Sequence, residues 1–136
     1  LDLGPGQNAY YPAFSPDGQW IAFNVSTEDA YDDTSAELWV MPSSGGDPIR
    51  LDLANYGVNQ SNSWPQWAPG AAGSSFYWLT FSSRRIYGNS TSGNPQIWVT
   101  GFDVGKAMQG LDPSSVAFWL PNQDPSLNNH LPVWVP

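Results

Sequence analysis

Apolar residues in this chain come in short runs, at residues 20–25, 38–41, 76–81 and 97–99, set off by stretches rich in Gly, Pro, Asn, Asp and Ser. Runs this short, rich in aromatic and β-branched side chains, predict β-strands rather than helices. The runs 20–25 and 76–81 do not alternate cleanly between apolar and polar positions, so their sheets are expected to be buried on both faces. Ser15-Pro16-Asp17-Gly18 carries turn chemistry, with Pro setting an early φ and Gly accepting a positive one, which predicts a hairpin between a first strand and the strand at 20–25. Residues 68–75, opening Ala68-Pro69-Gly70, do the same with a longer loop. Ser43-Ser44-Gly45-Gly46-Asp47-Pro48 turns the third strand onto a fourth at 49–53, Ile49-Arg50-Leu51-Asp52-Leu53. The unit is an antiparallel four-strand meander of about 50 residues.

That unit recurs. A pentamer of Pro, any residue, an aromatic, any residue and Pro occurs as Pro12-Ala13-Phe14-Ser15-Pro16, Pro65-Gln66-Trp67-Ala68-Pro69 and Pro132-Val133-Trp134-Val135-Pro136. A Leu-Asp pair precedes each, at Leu1-Asp2, Leu51-Asp52 and Leu111-Asp112. After the first two pentamers, 20–26 is answered by 77–83, and Leu38-Trp39-Val40 by Ile97-Trp98-Val99. Four strand features recurring in one order, in sheets apolar on both sides, describe the blades of a β-propeller, where each sheet is covered by its neighbours. A β-sandwich of seven or eight strands also fits the length and the turn spacing.

The expected organisation is therefore all-β, a single β-propeller segment over 1–136. Residues 1–3 supply the last strand of a preceding blade, 10–53 form blade one, and 64–112 form a degenerate blade two. Residues 113–136 form an irregular segment and the first strand of a further or closing blade. About two blades make an incomplete ring, since propellers use at least four. Two apolar sheet faces then need covering, either by more of a longer chain or by further copies of this arc, three of which would make six blades.

The stretch Tyr11-Pro12-Ala13-Phe14-Ser15-Pro16-Asp17-Gly18-Gln19-Trp20-Ile21-Ala22-Phe23, with 37–51 beginning Glu37-Leu38-Trp39-Val40-Met41, closely resembles the TolB-like β-propeller repeat. The second copy keeps Pro65, Trp67, Phe81 and Ile97-Trp98-Val99 but has Ala68-Pro69-Gly70 where the family has Ser-Pro-Asp-Gly. The third copy keeps only the pentamer. The resemblance implies a six- or seven-bladed ring, usually outside the cytoplasm and hence periplasmic or extracellular, serving as a docking platform or as the shell over a hydrolase.

Composition agrees with a folded β-rich chain: Gly 13 and Pro 13 among 136 residues leave few stretches for a long helix, and Trp 8 with 15% aromatics is far too apolar for disorder. A formal charge of -8 from 4 basic and 12 acidic residues repels a phosphate backbone, so nucleic acid is not an expected partner. Zero cysteines exclude disulfides, thiolate metal sites and Cys nucleophiles. No apolar run is long enough to span a bilayer. The chain begins at Leu1 without a leader pattern, so an upstream segment is expected to have been removed.

Candidate chemistry is sparse. His130 is the only histidine and sits just before the third pentamer, where a hydrogen-bonded loop role is expected. No Gly-x-Ser-x-Gly elbow, phosphate loop, His-Glu-x-x-His or dinucleotide fingerprint is present, so no catalytic, cofactor or metal residues are assigned and no enzyme activity is expected. The densest charge is the loop 28–37, with Glu28, Asp29, Asp32, Asp33 and Glu37, a solvated acidic loop or, if constrained, a Ca²⁺ site. Trp39, Trp98, Phe14, Trp67 and Trp134 occupy equivalent repeat positions and are expected in the core, leaving Trp64, Trp78 and Trp119 open to a surface role. Sequons at Asn24, Asn59 and Asn89 are no more than chance supplies in an Asn- and Ser-rich chain. The expected function is a non-enzymatic, extracytoplasmic protein-binding or scaffold segment. The alternatives are an accessory propeller of a prolyl oligopeptidase-type hydrolase and a carbohydrate-binding module.

Overall fold

The computed structural model describes residues 3–88 and 93–135. Strands β1 (Asn8–Phe14), β2 (Trp20–Ser26), β3 (Glu37–Pro42) and β4 (Ile49–Arg50) form one antiparallel sheet in chain order. A second antiparallel sheet contains β5 (Ser63–Trp67), β6 (Phe76–Ser83), β7 (Gln96–Asp103) and β8 (Phe118–Trp119), again in chain order. The one helix among the described residues is the single turn α1 (Val104–Met108), whose N-terminal amide at Lys106 is capped by the Asp103 carboxylate. The first hairpin forms where the turn chemistry placed it. Ser15 Oγ donates to Asp17 Oδ1 at 2.6 Å and accepts the Trp20 N–H at 3.0 Å, while Gly18 takes φ +70°.

Both complete pentamers lie on the first strand of a sheet, β1 and β5, as the repeat requires. The fourth strands differ from expectation. The first is only Ile49–Arg50, because the chain coils at once into a turn closed by Asn55 N–H on the Leu51 carbonyl, 2.8 Å. The second lies at Phe118–Trp119, outside 64–112, so Leu111-Asp112 marks no strand. There Pro113 has no N–H to offer, and Asp112 Oδ1 takes the Ser114 N–H at 2.9 Å, which makes a turn. The third pentamer is not a strand over its described residues 132–135. Of the leading strand expected at 1–3, Leu1 and Asp2 lie outside the described residues and Leu3 belongs to no strand.

One core joins the sheets. Phe102 of β7 stands edge-on to Trp20 of β2 (5.5 Å, 64°) and to Trp67 of β5 (5.0 Å, 89°), with Leu38, Val40, Leu79 and Phe81 fully buried around them. Each such side chain contributes about 1.5–3 kcal/mol by leaving water. Trp67 and Trp98 are buried as expected, whereas Trp39 is only half-buried, Phe14 is 64% exposed and Trp134 39%. Phe14 points away from the inter-sheet core because the pleat of β1 turns alternate residues outward, and its neighbour Ala13 is the one that packs against that core.

The sheets share a closing device. Past the end of β4, the side-chain amide of Asn55 pairs with both backbone groups of Leu38: Leu38 N–H donates to Oδ1 at 2.8 Å and Nδ2 donates to the Leu38 carbonyl at 2.9 Å. Past β8, Gln123 treats Ile97 the same way, at 2.7 and 2.8 Å. Leu38 and Ile97 are equivalent, each preceding the Trp that pairs with the last residue of a fourth strand. A side-chain amide carries the same donor and acceptor as a peptide group, so it extends the ladder by one rung after the backbone has turned away.

Candidate functional site

Two features converge where the first strands meet. The three pentamers surround one cavity of about 460 Å³, lined by Phe14, Pro16, Trp67, Pro69, Pro132 and Trp134 among others. They are placed by a repeated step. Trp67 Nε1 donates to the Ala13 carbonyl at 3.0 Å, so the second pentamer's ring is tied to the residue before the first pentamer's ring. Trp134 Nε1 donates to Thr80 Oγ1 at 3.1 Å, and that hydroxyl donates to the Gln66 carbonyl at 3.0 Å, the residue before Trp67. The third pentamer thus sits on the second as the second sits on the first, with one hydroxyl inserted.

Beside this cavity lies an aromatic cluster. Tyr11 and Trp64, each directly before the first proline of a pentamer, have φ of 53° and 58°, and each sits in a register shift of its strand pair. A bulky aromatic in the left-handed region is an outlier that costs about 1–3 kcal/mol. The same strain at equivalent positions turns both rings toward each other, stacked at 4.2 Å and 13°. Tyr31, from the acidic loop, meets Trp64 edge-on at 5.5 Å and its hydroxyl contacts the nitrogens of the His130 ring. The signal for this cluster was in the sequence, an aromatic before the pentamer in two copies, but its meaning depends on the bulge.

The electrostatics do not favour proton transfer here. Partial burial moves the His130 imidazole below its ordinary 6.5, which favours its neutral form beside the Tyr31 hydroxyl. The Tyr11 phenol is pushed up by desolvation and by Asp29, and stays protonated. Among the described residues His130 bonds to Tyr31 and to no serine hydroxyl.

The acidic loop is held by its own carboxylates. Asp33 Oδ2 accepts the Glu28 and Asp29 amides at 2.9 and 3.2 Å, and Oδ1 accepts the Ser35 amide at 2.8 Å. Asp32 pairs with Arg84 of the second sheet, through Nε at 2.6 Å, and Glu37 pairs with Arg50 through two nitrogens at 2.7 and 2.6 Å. Among the described residues no group of three or more His, Asp or Glu side chains is placed to hold a metal ion. Desolvation works to raise the Asp33 pKa, but the three amide donors and Ser35 outweigh it and hold the carboxyl below its ordinary 3.8. Because the folded value is depressed, its contribution is present above the unfolded pKa and disappears as pH falls through the folded one. Asp33→Ala is expected to lower stability by about 1–2 kcal/mol at pH 7. In urea unfolding of both proteins the gap narrows once the pH falls below the ordinary carboxyl value of 3.8; a constant gap from pH 7 to pH 2 contradicts this assignment.

The remaining tryptophans spread outward. Trp78 is 44% exposed and stands edge-on to Phe76 at 5.1 Å and Phe118 at 6.1 Å, an aromatic row on the second sheet. Trp119 stacks on Tyr87 at 4.8 Å. Asn24 is fully buried, its amide bonded within the fold, Asn59 is exposed, and Asn89 lies outside the described residues. No helix among the described residues is long and apolar enough to cross a membrane. The chain matches no protein-family model and no curated protein sequence.

Proposed function

We propose that this chain is a non-enzymatic, protein-binding segment of a TolB-like β-propeller working outside the cytoplasm, made of two blades and the first pentamer of a third. The observation that carries the reading is the repeated step, Trp67 on Ala13 and Trp134 through Thr80 on Gln66. A rotation applied twice to equivalent units generates a ring if it continues. The flank where it stops is apolar: Phe76, Trp78 and Phe118 are each 44–47% exposed, and Val133 and Val135 each 79%. An open apolar edge of this kind is a surface for further blades or a protein partner.

Light scattering on the purified chain tests it. The expected mass is a multiple of 14.9 kDa, falling to that value when Trp78→Ser and Phe118→Ser are combined. A 14.9 kDa particle that unfolds cooperatively and is indifferent to both substitutions overturns the reading.

A further inference from the structure

A second cavity, of about 560 Å³, lies beside the segment joining the two sheets and is built unlike the first. Two of the chain's 4 basic residues, Arg84 and Arg85, are in its wall. Arg84 is neutralised by Asp32. Arg85 is not: among the described residues it pairs with no carboxylate, and its guanidinium is held over the rings of Phe81 at 5.2 Å and Trp98 at 4.9 Å. Its Nη2 donates to the Ala54 carbonyl at 2.7 Å and to Asn62 Oδ1 at 2.9 Å, and its Nε to Ser83 Oγ at 3.0 Å. That arrangement clamps one side of the guanidinium fork. It leaves Nη1 without a hydrogen-bond partner among the described residues.

Beneath the guanidinium, Trp98 forms part of the same wall. Trp98 is 5% exposed, and its buried Nε1 has no hydrogen-bond partner. The equivalent Trp39 also lacks one, but, counted from the Phe23–Trp39 and Phe81–Trp98 pairs, Thr27 stands where the second sheet has Arg85, so only Trp98 has a cation stacked on its ring. The mouth is apolar: Tyr56, Val58, Ile86 and Val116 line it and are 64–83% exposed. Burial without a counter-charge draws the Arg85 pKa down to about 10, which leaves it cationic at pH 7.

We propose that this cavity binds a carboxylate on a short apolar stem, with Arg85 Nη1 as donor to the carboxylate and the Tyr56, Val58, Ile86 and Val116 rim around the stem. A cation on a chain of net charge -8 attracts an anion only where the local field outweighs the overall one, and a half-buried guanidinium with no counter-charge, fixed on one side and free at Nη1, meets that condition. The volume suits a small ligand. A fully hydrated anion such as phosphate gains nothing from the rim.

The probe is sodium hexanoate, compared with hexanamide and with inorganic phosphate, read by calorimetry and by the indole N–H resonance that Trp98→Phe removes from the spectrum. Hexanoate is expected to bind and shift that resonance, and the two other compounds to bind at least tenfold more weakly. Arg85→Met is expected to weaken hexanoate at least about tenfold. Since Arg85 also ties the joining segment to the second sheet, Val58→Asp on the exposed rim serves as a variant that keeps the fold and repels the anion. The site is refuted if hexanamide or phosphate binds as well as hexanoate, if the indole resonance stays still, or if Val58→Asp binds like the parent.

Discussion

Trp67→Ala is expected to cost about 3–5 kcal/mol, a large part of the stability of a chain this size. Trp67 is 8% exposed and packs edge-on against Phe102 of its own sheet, which in turn packs against Trp20 of the other, so its removal opens a cavity at the seam. Its indole N–H also bonds to Ala13 across that seam, and the Ala13 carbonyl loses this donor in the variant. Trp67→Phe separates the two effects, retaining most of the ring volume and losing the hydrogen bond, with an expected cost of about 1–2 kcal/mol. Urea unfolding followed by circular dichroism measures both. A loss below about 1 kcal/mol for Trp67→Ala means that the two sheets do not depend on a common core. Because Trp67 also lines the cavity between the pentamers, Trp67→Ala is further expected to loosen the third pentamer, seen as faster exchange of the Trp134 indole N–H that is bonded to Thr80.

Asn55→Ala is expected to cost about 3 kcal/mol even though it removes no apolar contact. The side chain is 2% exposed, and truncation leaves the Leu38 N–H without its acceptor and Asn62 Nδ2 without its 3.1 Å bond to Asn55 Oδ1. The Leu38 carbonyl keeps the Leu51 N–H at 3.0 Å, which is why the cost stops near that figure. Asn55→Asp is expected to be at least as damaging, since a buried carboxylate oxygen then faces the Leu38 carbonyl in place of a donor. Gln123→Ala deletes the corresponding rung in a more exposed setting and is expected to cost about 1 kcal/mol. Hydrogen exchange at Leu38 and Ile97 checks each rung separately. If the Leu38 amide remains protected in Asn55→Ala, the side chain is not its partner.

Several elements were readable from the chain because their causes are local. The hairpin at Ser15-Pro16-Asp17-Gly18 formed as expected, since a proline, a carboxylate acceptor and a glycine at φ +70° are properties of four adjacent residues. The assignment of both Pro-aromatic pentamers to first strands followed from their order in the repeat. Phe14 and Trp134 were expected in the core because their positions match Trp67, but equivalence along the chain does not guarantee an equivalent neighbour. Trp67 has the first sheet behind it, Phe14 has no sheet on its outer side among the described residues, and Trp134 stands at the open flank. The fourth strand of the second sheet was misplaced because the signal at Leu111-Asp112 was a repeat mark, and Asp112-Pro113 turns the chain there.

Of the candidate sites, the acidic loop was conspicuous in sequence, and the structure shows three of its five carboxylates, those of Asp32, Asp33 and Glu37, occupied with backbone amides and arginines. Arg85 attracted no notice in sequence because nothing in Ser83-Arg84-Arg85-Ile86 separates a solvated arginine from one held between two aromatic rings. By itself the order of residues determined the strand-rich character, the antiparallel meanders, the main turns and the recurrence of the unit, since these arise from side-chain periodicity and backbone preferences acting over a few residues. Only the tertiary structure decided which of two neighbouring arginines lost its counter-charge, which aromatics met across the bulges and which amide side chains closed the sheets. Those outcomes depend on groups up to about a hundred positions apart being desolvated together, and the energy of a charge or a hydrogen bond is set by what surrounds it in space.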